Sequence, residues 1–117
     1  DPKYKTDMFL GIGGGPEGVL AASALDAFDC HFQGRFIFDN DKNIDEAKQI
    51  GITDLNKKYE LNQIVKGDSI FCATGITSSD VLSGIEINDN NYTSETLVTH
   101  KNSNFKEILK KTNHINE

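Results

Sequence analysis

The stretch Asp7-Met8-Phe9-Leu10-Gly11-Ile12-Gly13-Gly14-Gly15-Pro16-Glu17-Gly18 decides how this chain is read. Its apolar residues 8–12 run into glycines, the pattern of a strand feeding a tight loop. Pro16 then opens a helix, because its missing N–H falls among donors that lack a partner at a helix start anyway. Residues 17–28 carry Val19, Leu20, Ala24, Leu25 and Phe28 on most sides, so that helix is expected to be buried on more than one face. Five glycines within residues 11–18 let the backbone approach a ligand closely and leave helix N–H groups aimed outward as an anion site. The alternative is a turn of left-handed glycines with no ligand; the density of glycine and its place between strand and helix favour a phosphate site.

Two ligands compete for that loop. Gly13, Gly15 and Gly18 satisfy G-x-G-x-x-G, and Asp39 follows 21 residues after Gly18, which is the fingerprint of a Rossmann-like dinucleotide-binding domain. Glu17 argues against it, since a carboxylate beside a pyrophosphate repels the ligand unless a cation stands between them. The second reading makes the cation explicit: Glu17 supplies one oxygen ligand to Mg²⁺ or Mn²⁺ and the glycine amides touch a phosphate sharing that metal. One carboxylate does not make a metal site, so the remaining ligands have to come from elsewhere. Set against both is a plainer role for Glu17, an acid that only complements the helix dipole. A Walker-type loop is excluded, because no Gly-Lys-Ser/Thr follows.

Outward from the loop, residues 32–38 are predicted as a strand closed by the polar cluster Asp39-Asn40-Asp41-Lys42-Asn43. Residues 44–50 fit a short helix stopped by Gly51, and residues 61–65 a helical turn ended by Gly67. Residues 69–74 form a near-continuous apolar strand, of the kind covered on both faces, ending in Gly75. Residues 92–99 are polar and β-branched, predicting an exposed strand, whereas residues 105–111 fit either a helical stripe or a last edge strand. The order of elements predicts one α/β domain over residues 1–117, with a mostly parallel or mixed sheet and flanking helices.

Composition narrows the function classes. The 117 residues are 37% hydrophobic, enough for a core, and contain no apolar run approaching a membrane span and no basic-then-apolar leader. Twelve basic against 18 acidic side chains give a net charge of −6, and Arg35 is the only arginine, which argues against a nucleic-acid surface. Cys30 and Cys72 are too few for a disulfide framework and sit in apolar company, so buried free thiols and a cytoplasmic location are expected. The chain opens at Asp1 with no initiator Met, and Asp1-Pro2-Lys3-Tyr4-Lys5 reads as an interrupted segment, so a fragment of a longer protein is expected.

Residues 7–22, with their Gly-Gly-Gly-Pro-Glu-Gly core, resemble the glycine-rich Pro-Glu-Gly segment of the class II fructose-1,6-bisphosphatases, some of which also act on sedoheptulose 1,7-bisphosphate. The likeness continues in order through Gln33-Gly34-Arg35, Gly51-Ile52, Asp54-Leu55-Asn56, Val65-Lys66-Gly67-Asp68, Phe71-Cys72-Ala73-Thr74-Gly75-Ile76-Thr77 and Leu82-Ser83-Gly84. It implies the C-terminal α/β portion of a carbohydrate-phosphatase fold and a metal-dependent sugar-bisphosphate 1-phosphatase of gluconeogenesis, using Mn²⁺ or Mg²⁺. By the same resemblance Glu17 is a metal ligand and Gly14 contacts the substrate, while the catalytic threonine and the other metal carboxylates lie upstream of Asp1. The implied partners are a sugar bisphosphate, the rest of its own polypeptide and further copies of itself. Ser78-Ser79-Asp80 stands where the family has Asp-Gly, Asp29-Cys30-His31 replaces a glycine-rich turn, and the tail is Asn-rich.

The other polar candidates have structural readings. His31, His100 and His114 lack ligand spacing and suit surface or structural roles. Thr74 and Thr77 flank Gly75 at a strand end, where a ligand can sit in an open sheet, but capping the turn is the simpler use of their hydroxyls. Arg35 is expected to pair with a carboxylate or to reach a phosphate.

Overall fold

A computed structural model describes residues 5–115; residues 1–4, which include most of the segment read as interrupted, lie outside the described residues. The order of elements is α1 (Gly15–Ala27), β1 (Gln33–Gly34), α2 (Asp41–Gln49), β2 (Tyr59–Glu60), α3 (Leu61–Ile64), β3 (Ile70–Thr74), β4 (Glu86–Asn88), β5 (Asn91–His100) and β6 (Phe105–His114). The α/β class holds. Each helix has a local cause. Pro16 lies in the first turn of α1, whose end is closed without glycine: Asp29 takes the left-handed conformation and the Cys30 N–H donates back to the Leu25 carbonyl. Asn40 caps α2 by accepting from the Asn43 N–H at 2.9 Å, and Gly51, at φ +91°, stops it. Glu60 and Gln63 form a reciprocal capping box on α3, with the Glu60 N–H donating to Gln63 Oε1 at 3.0 Å.

The sheet corrects the expected topology: every strand pairing among the described residues is antiparallel. A parallel pair needs a crossover between two full strands, and of the strands predicted early in the chain one does not form and another is reduced to two residues. Residues 8–12 pair with no strand among the described residues, and within residues 32–38 only Gln33–Gly34 enter a ladder, a two-residue ribbon with β2. The main sheet is built instead around β5. It pairs along its whole length with β6 on one edge, and on the other edge with β3 through residues 96–100 and β4 through residues 91–93. The predicted exposed strand is thus the central one. Two of its threonines are accommodated by pairing across the ladders, Thr96 with Thr74 at 2.8 Å and Thr93 with Thr112 at 2.9 Å between hydroxyl oxygens, whereas Thr99 is fully buried with no hydrogen-bond partner for its hydroxyl among the described residues. The ambiguous residues 105–111 belong to β6.

The loop from Gly75 to Gly84 fills the gap between β3 and β4 on the same edge. The Gly75 N–H donates to the Glu95 carbonyl and the Ser83 N–H to Glu95 Oε2 at 2.9 Å, so β5 holds the loop at both ends. That bond, with Lys110 beside it, holds the Glu95 carboxyl below its ordinary pKa. A Cβ at Gly84 would meet Ser78 N and Ile76 O at 2.8 and 2.9 Å, so the chain passes too close there for any side chain.

The core is thin. Ala22, Ala27, Ala47 and Leu82 are the buried apolar residues among those described, while Phe9, Leu10 and Ile12 are each more than 80% exposed. β3 is not covered on both faces: Ile70, Cys72 and Thr74 point to solvent, and both Cys30 and Cys72 are free but exposed rather than buried. Likewise α1 buries only its C-terminal half, with Val19 and Leu20 exposed. A compact chain of this length has a radius of gyration of about 13 Å; here it is 18.2 Å. No helix among the described residues is long and apolar enough to cross a membrane.

Candidate metal and phosphate site

Gly14 is the N-cap of α1, extended at φ −68° and ψ 157°, and no side chain caps the helix. Gly15, Pro16 and Glu17 form its first turn, and the first helical bond runs from the Gly18 N–H to the Gly14 carbonyl at 3.0 Å. The amides of Gly14, Gly15 and Glu17 therefore precede the helical ladder, and with the helix dipole they make this end electropositive. Glu17 is exposed, and its carboxylate folds back over Gly14, so that a side chain at residue 14 would collide with it. The two residues singled out in the sequence are thus neighbours in space as well as in the chain, and glycine at 14 is what allows the carboxylate to lie there.

The other glycines of the loop are explained differently. Gly11, Gly13, Gly14, Gly15 and Gly18 all avoid positive φ, so the reading as a turn of left-handed glycines is not realised. A Cβ at Gly13, Gly15 or Gly18 would meet nothing within 4 Å. Two of these lie inside α1, where each glycine costs about 1 kcal/mol relative to alanine. No contact among the described residues requires glycine at these positions, and their effect is to leave bare backbone around the helix N-terminus and the Glu17 carboxylate.

As a donor set this is one corner of a metal site. Mg²⁺ and Mn²⁺ take about six oxygens at near-octahedral positions, and among the described residues no group of three or more His, Cys, Asp or Glu side chains could hold a metal ion. No Lys, Arg or His among the described residues pairs with Glu17, so its charge is available to an external cation. The dinucleotide reading loses its frame: Asp39 sits in irregular chain before α2, not at the end of a strand parallel to one that precedes the glycines, and no parallel βαβ unit exists among the described residues.

The secondary candidates fall away from this corner. The Thr74 hydroxyl bonds Thr96 across the sheet and does not cap its turn. Arg35 is exposed and pairs with no carboxylate among the described residues. His100 has the structural role expected of it, Nε2 lying 2.7 Å from Asp68 Oδ1 and Nδ1 2.7 Å from Ser103 Oγ. No sequence pattern signals the contact beside it, where Lys101 Nζ donates to Asp26 Oδ1 at 2.7 Å and lies 3.8 Å from Asp29. Asp26 and Lys101 are 75 residues apart, and no local pattern joins them.

The family model described as bacterial fructose-1,6-bisphosphatase, glpX-encoded, matches residues 1–113. The chain belongs to that family. Among its relatives is the D-fructose 1,6-bisphosphatase class 2/sedoheptulose 1,7-bisphosphatase of Prochlorococcus marinus strain MIT 9515, 35% identical over 95 residues that cover 69% of this chain and 28% of the relative. The protein of the same description from Thermosynechococcus vestitus is 36% identical over 90 residues, covering 65% of this chain and 26% of its own. The chain therefore spans little more than a quarter of the length of the curated relatives it matches.

Proposed function

We propose that this chain is the C-terminal α/β portion of a carbohydrate-phosphatase fold, and that the complete protein hydrolyses the 1-phosphate of fructose 1,6-bisphosphate with Mn²⁺ or Mg²⁺. Sedoheptulose 1,7-bisphosphate is a second candidate substrate, from the naming of the relatives. The observation that carries the reading is the Glu17 carboxylate lying over Gly14 at an uncapped, glycine-lined helix N-terminus. Glu17 is one ligand of the cation, and Gly14, with the amides around it, receives the substrate. A bound divalent cation neutralises phosphoryl oxygens and activates water. The chain's own part is to hold one carboxylate in place and to offer N–H donors to an anion without a side chain in the way.

The remaining ligands and the catalytic groups belong to the portion of the fold that the relatives have beyond this match, so the 117 residues alone are inactive. The exposed apolar run Met8, Phe9, Leu10 and Ile12, continued by Val19 and Leu20 on α1, is the surface that packs against that portion. Free cysteines suit a cytoplasmic location.

Phosphate release from both sugar bisphosphates by the complete protein, with and without Glu17→Gln, tests the reading. The substitution is expected to abolish most turnover and to weaken Mn²⁺ binding measured by calorimetry. Wild-type turnover and wild-type Mn²⁺ affinity in the variant would remove Glu17 from the site.

A further inference from the structure

We infer that Lys101, in the turn between β5 and β6, is a positioning residue that sets the angle at which α1 presents Glu17. The inference rests on the assignment of Glu17 as a metal ligand. Among the described residues, helix α1 is held by its C-terminal half. Its buried residues are Ala22 and Ala27, while Val19 and Leu20, nearer the site, are 47% and 57% exposed. This chain therefore seats α1 through Ala22 and its last turn and presents Glu17 from that seat, while Val19 and Leu20 are the face left to the rest of the protein.

That seat needs an outside cation. The last turn of α1 contains no basic residue, yet it carries Asp26, and Asp29 lies just beyond; both acids stand at the negative end of the helix dipole, where a carboxylate is repelled. Lys101 Nζ meets both, at 2.7 and 3.8 Å, and the Asp26 side chain is only 14% exposed. Lys106, on β6, adds its ammonium 5.5 Å from the centre of the Phe28 ring. The hydrogen bond to Asp26 also holds the Lys101 ammonium above its ordinary pKa, as a partner that favours the charged form must. The same turn is fixed to the entrance of β3 by His100 and Asp68.

Without Lys101, two carboxylates at the helix end repel it and each other, and the seat moves towards solvent. At 1.5 Å per residue, Glu17 is about 14 Å from Asp26 along the axis, so a tilt of about 4° displaces its carboxylate by ~1 Å. A divalent cation with bonds of about 2.1 Å does not tolerate that displacement.

The experiment is Mn²⁺ titration of the complete protein by calorimetry, together with thermal unfolding, for Lys101→Met, Lys101→Arg, Asp26→Asn and Glu17→Gln. Lys101→Met is expected to weaken Mn²⁺ binding by about tenfold, the low end of the effect of residues that act behind a metal ligand. Lys101→Arg, which keeps the cation, should restore most of the affinity. Asp26→Asn, nearly isosteric, gives a folded variant in which adding Lys101→Met should weaken binding no further. A merely structural role predicts a lower unfolding temperature with Mn²⁺ affinity unchanged in the folded protein, and that result overturns the inference. Glu17→Gln separates the two levels: if it weakens Mn²⁺ binding while Lys101→Met does not, only the positioning role fails, whereas if it leaves affinity intact, the assignment of Glu17 fails and the positioning role falls with it.

Discussion

Replacing Gly14 by alanine tests the link between the cap and the carboxylate. The backbone at residue 14, φ −68° and ψ 157°, suits alanine as well as glycine, so the strain is not in the chain. Losing glycine at an N-cap costs only about a few tenths of a kcal/mol up to 1 kcal/mol. The new Cβ, however, occupies the space of the Glu17 carboxylate, whose oxygen must withdraw by about 1–2 Å to reach an ordinary van der Waals separation. A metal bond of about 2.1 Å breaks over that distance, so Mn²⁺ affinity of the complete protein should fall by about tenfold to a hundredfold while thermal stability hardly changes. The double variant Gly14→Ala/Glu17→Gln should bind no more weakly than Glu17→Gln alone, because with the carboxylate gone there is nothing left to displace. Calorimetry of the four proteins decides it. Full additivity of the two substitutions, or Gly14→Ala with unchanged affinity, would refute the reasoning.

Gly18→Ala should raise thermal stability by about 1 kcal/mol, since helix propensity improves and the Cβ enters open space, yet lower turnover in the complete protein if bare backbone faces the substrate. Gly84→Ala should lower stability by about 1–3 kcal/mol in denaturant melts, because the added Cβ presses on the backbone of Ile76, Thr77 and Ser78. Glu95→Gln should lower the unfolding temperature at neutral pH. Because the folded carboxyl titrates below its ordinary 4.5, the stability it contributes is complete above that pH and is lost as the pH falls through the lowered value. The wild-type and variant melting curves should therefore converge in acid, and a constant gap down to pH 2 would contradict the loop assignment. Calorimetry with NAD should show no binding, since the parallel βαβ frame is missing among the described residues.

The helices were legible because their signals are local. Pro16 and Gly51 each act within one turn of the residue that carries them, and the start of α1 and the end of α2 fall where those signals stand, whereas α2 begins at Asp41, inside the polar cluster read as closing a strand, because Asn40 caps it. The juxtaposition of Gly14 and Glu17 was legible for the same reason: they are three residues apart, and a helix start brings them together. The strands were not, because a run of apolar residues says that a segment will be covered without saying by what. Residues 8–12 have strand chemistry and no partner among the described residues, and residues 32–38 have one for two residues only. The polarity of β5 pointed to an exposed strand, whereas Thr93 and Thr96 find hydroxyl partners across the ladders, a pairing that depends on residues up to 22 positions away. The contact of Lys101 with Asp26 lay out of reach of any sequence pattern for the same reason.

The most direct test of the Glu17 assignment is the position of the metal itself. Diffraction from the complete protein grown with Mn²⁺ and a sugar bisphosphate, recorded at the manganese absorption edge, identifies the metal by element and gives its position. The account predicts an anomalous peak about 2.0–2.3 Å from a Glu17 carboxylate oxygen, with a substrate phosphate on the same ion and Gly14 against the substrate. A fully occupied manganese site from which Glu17 is separated by a layer of water or more would contradict it.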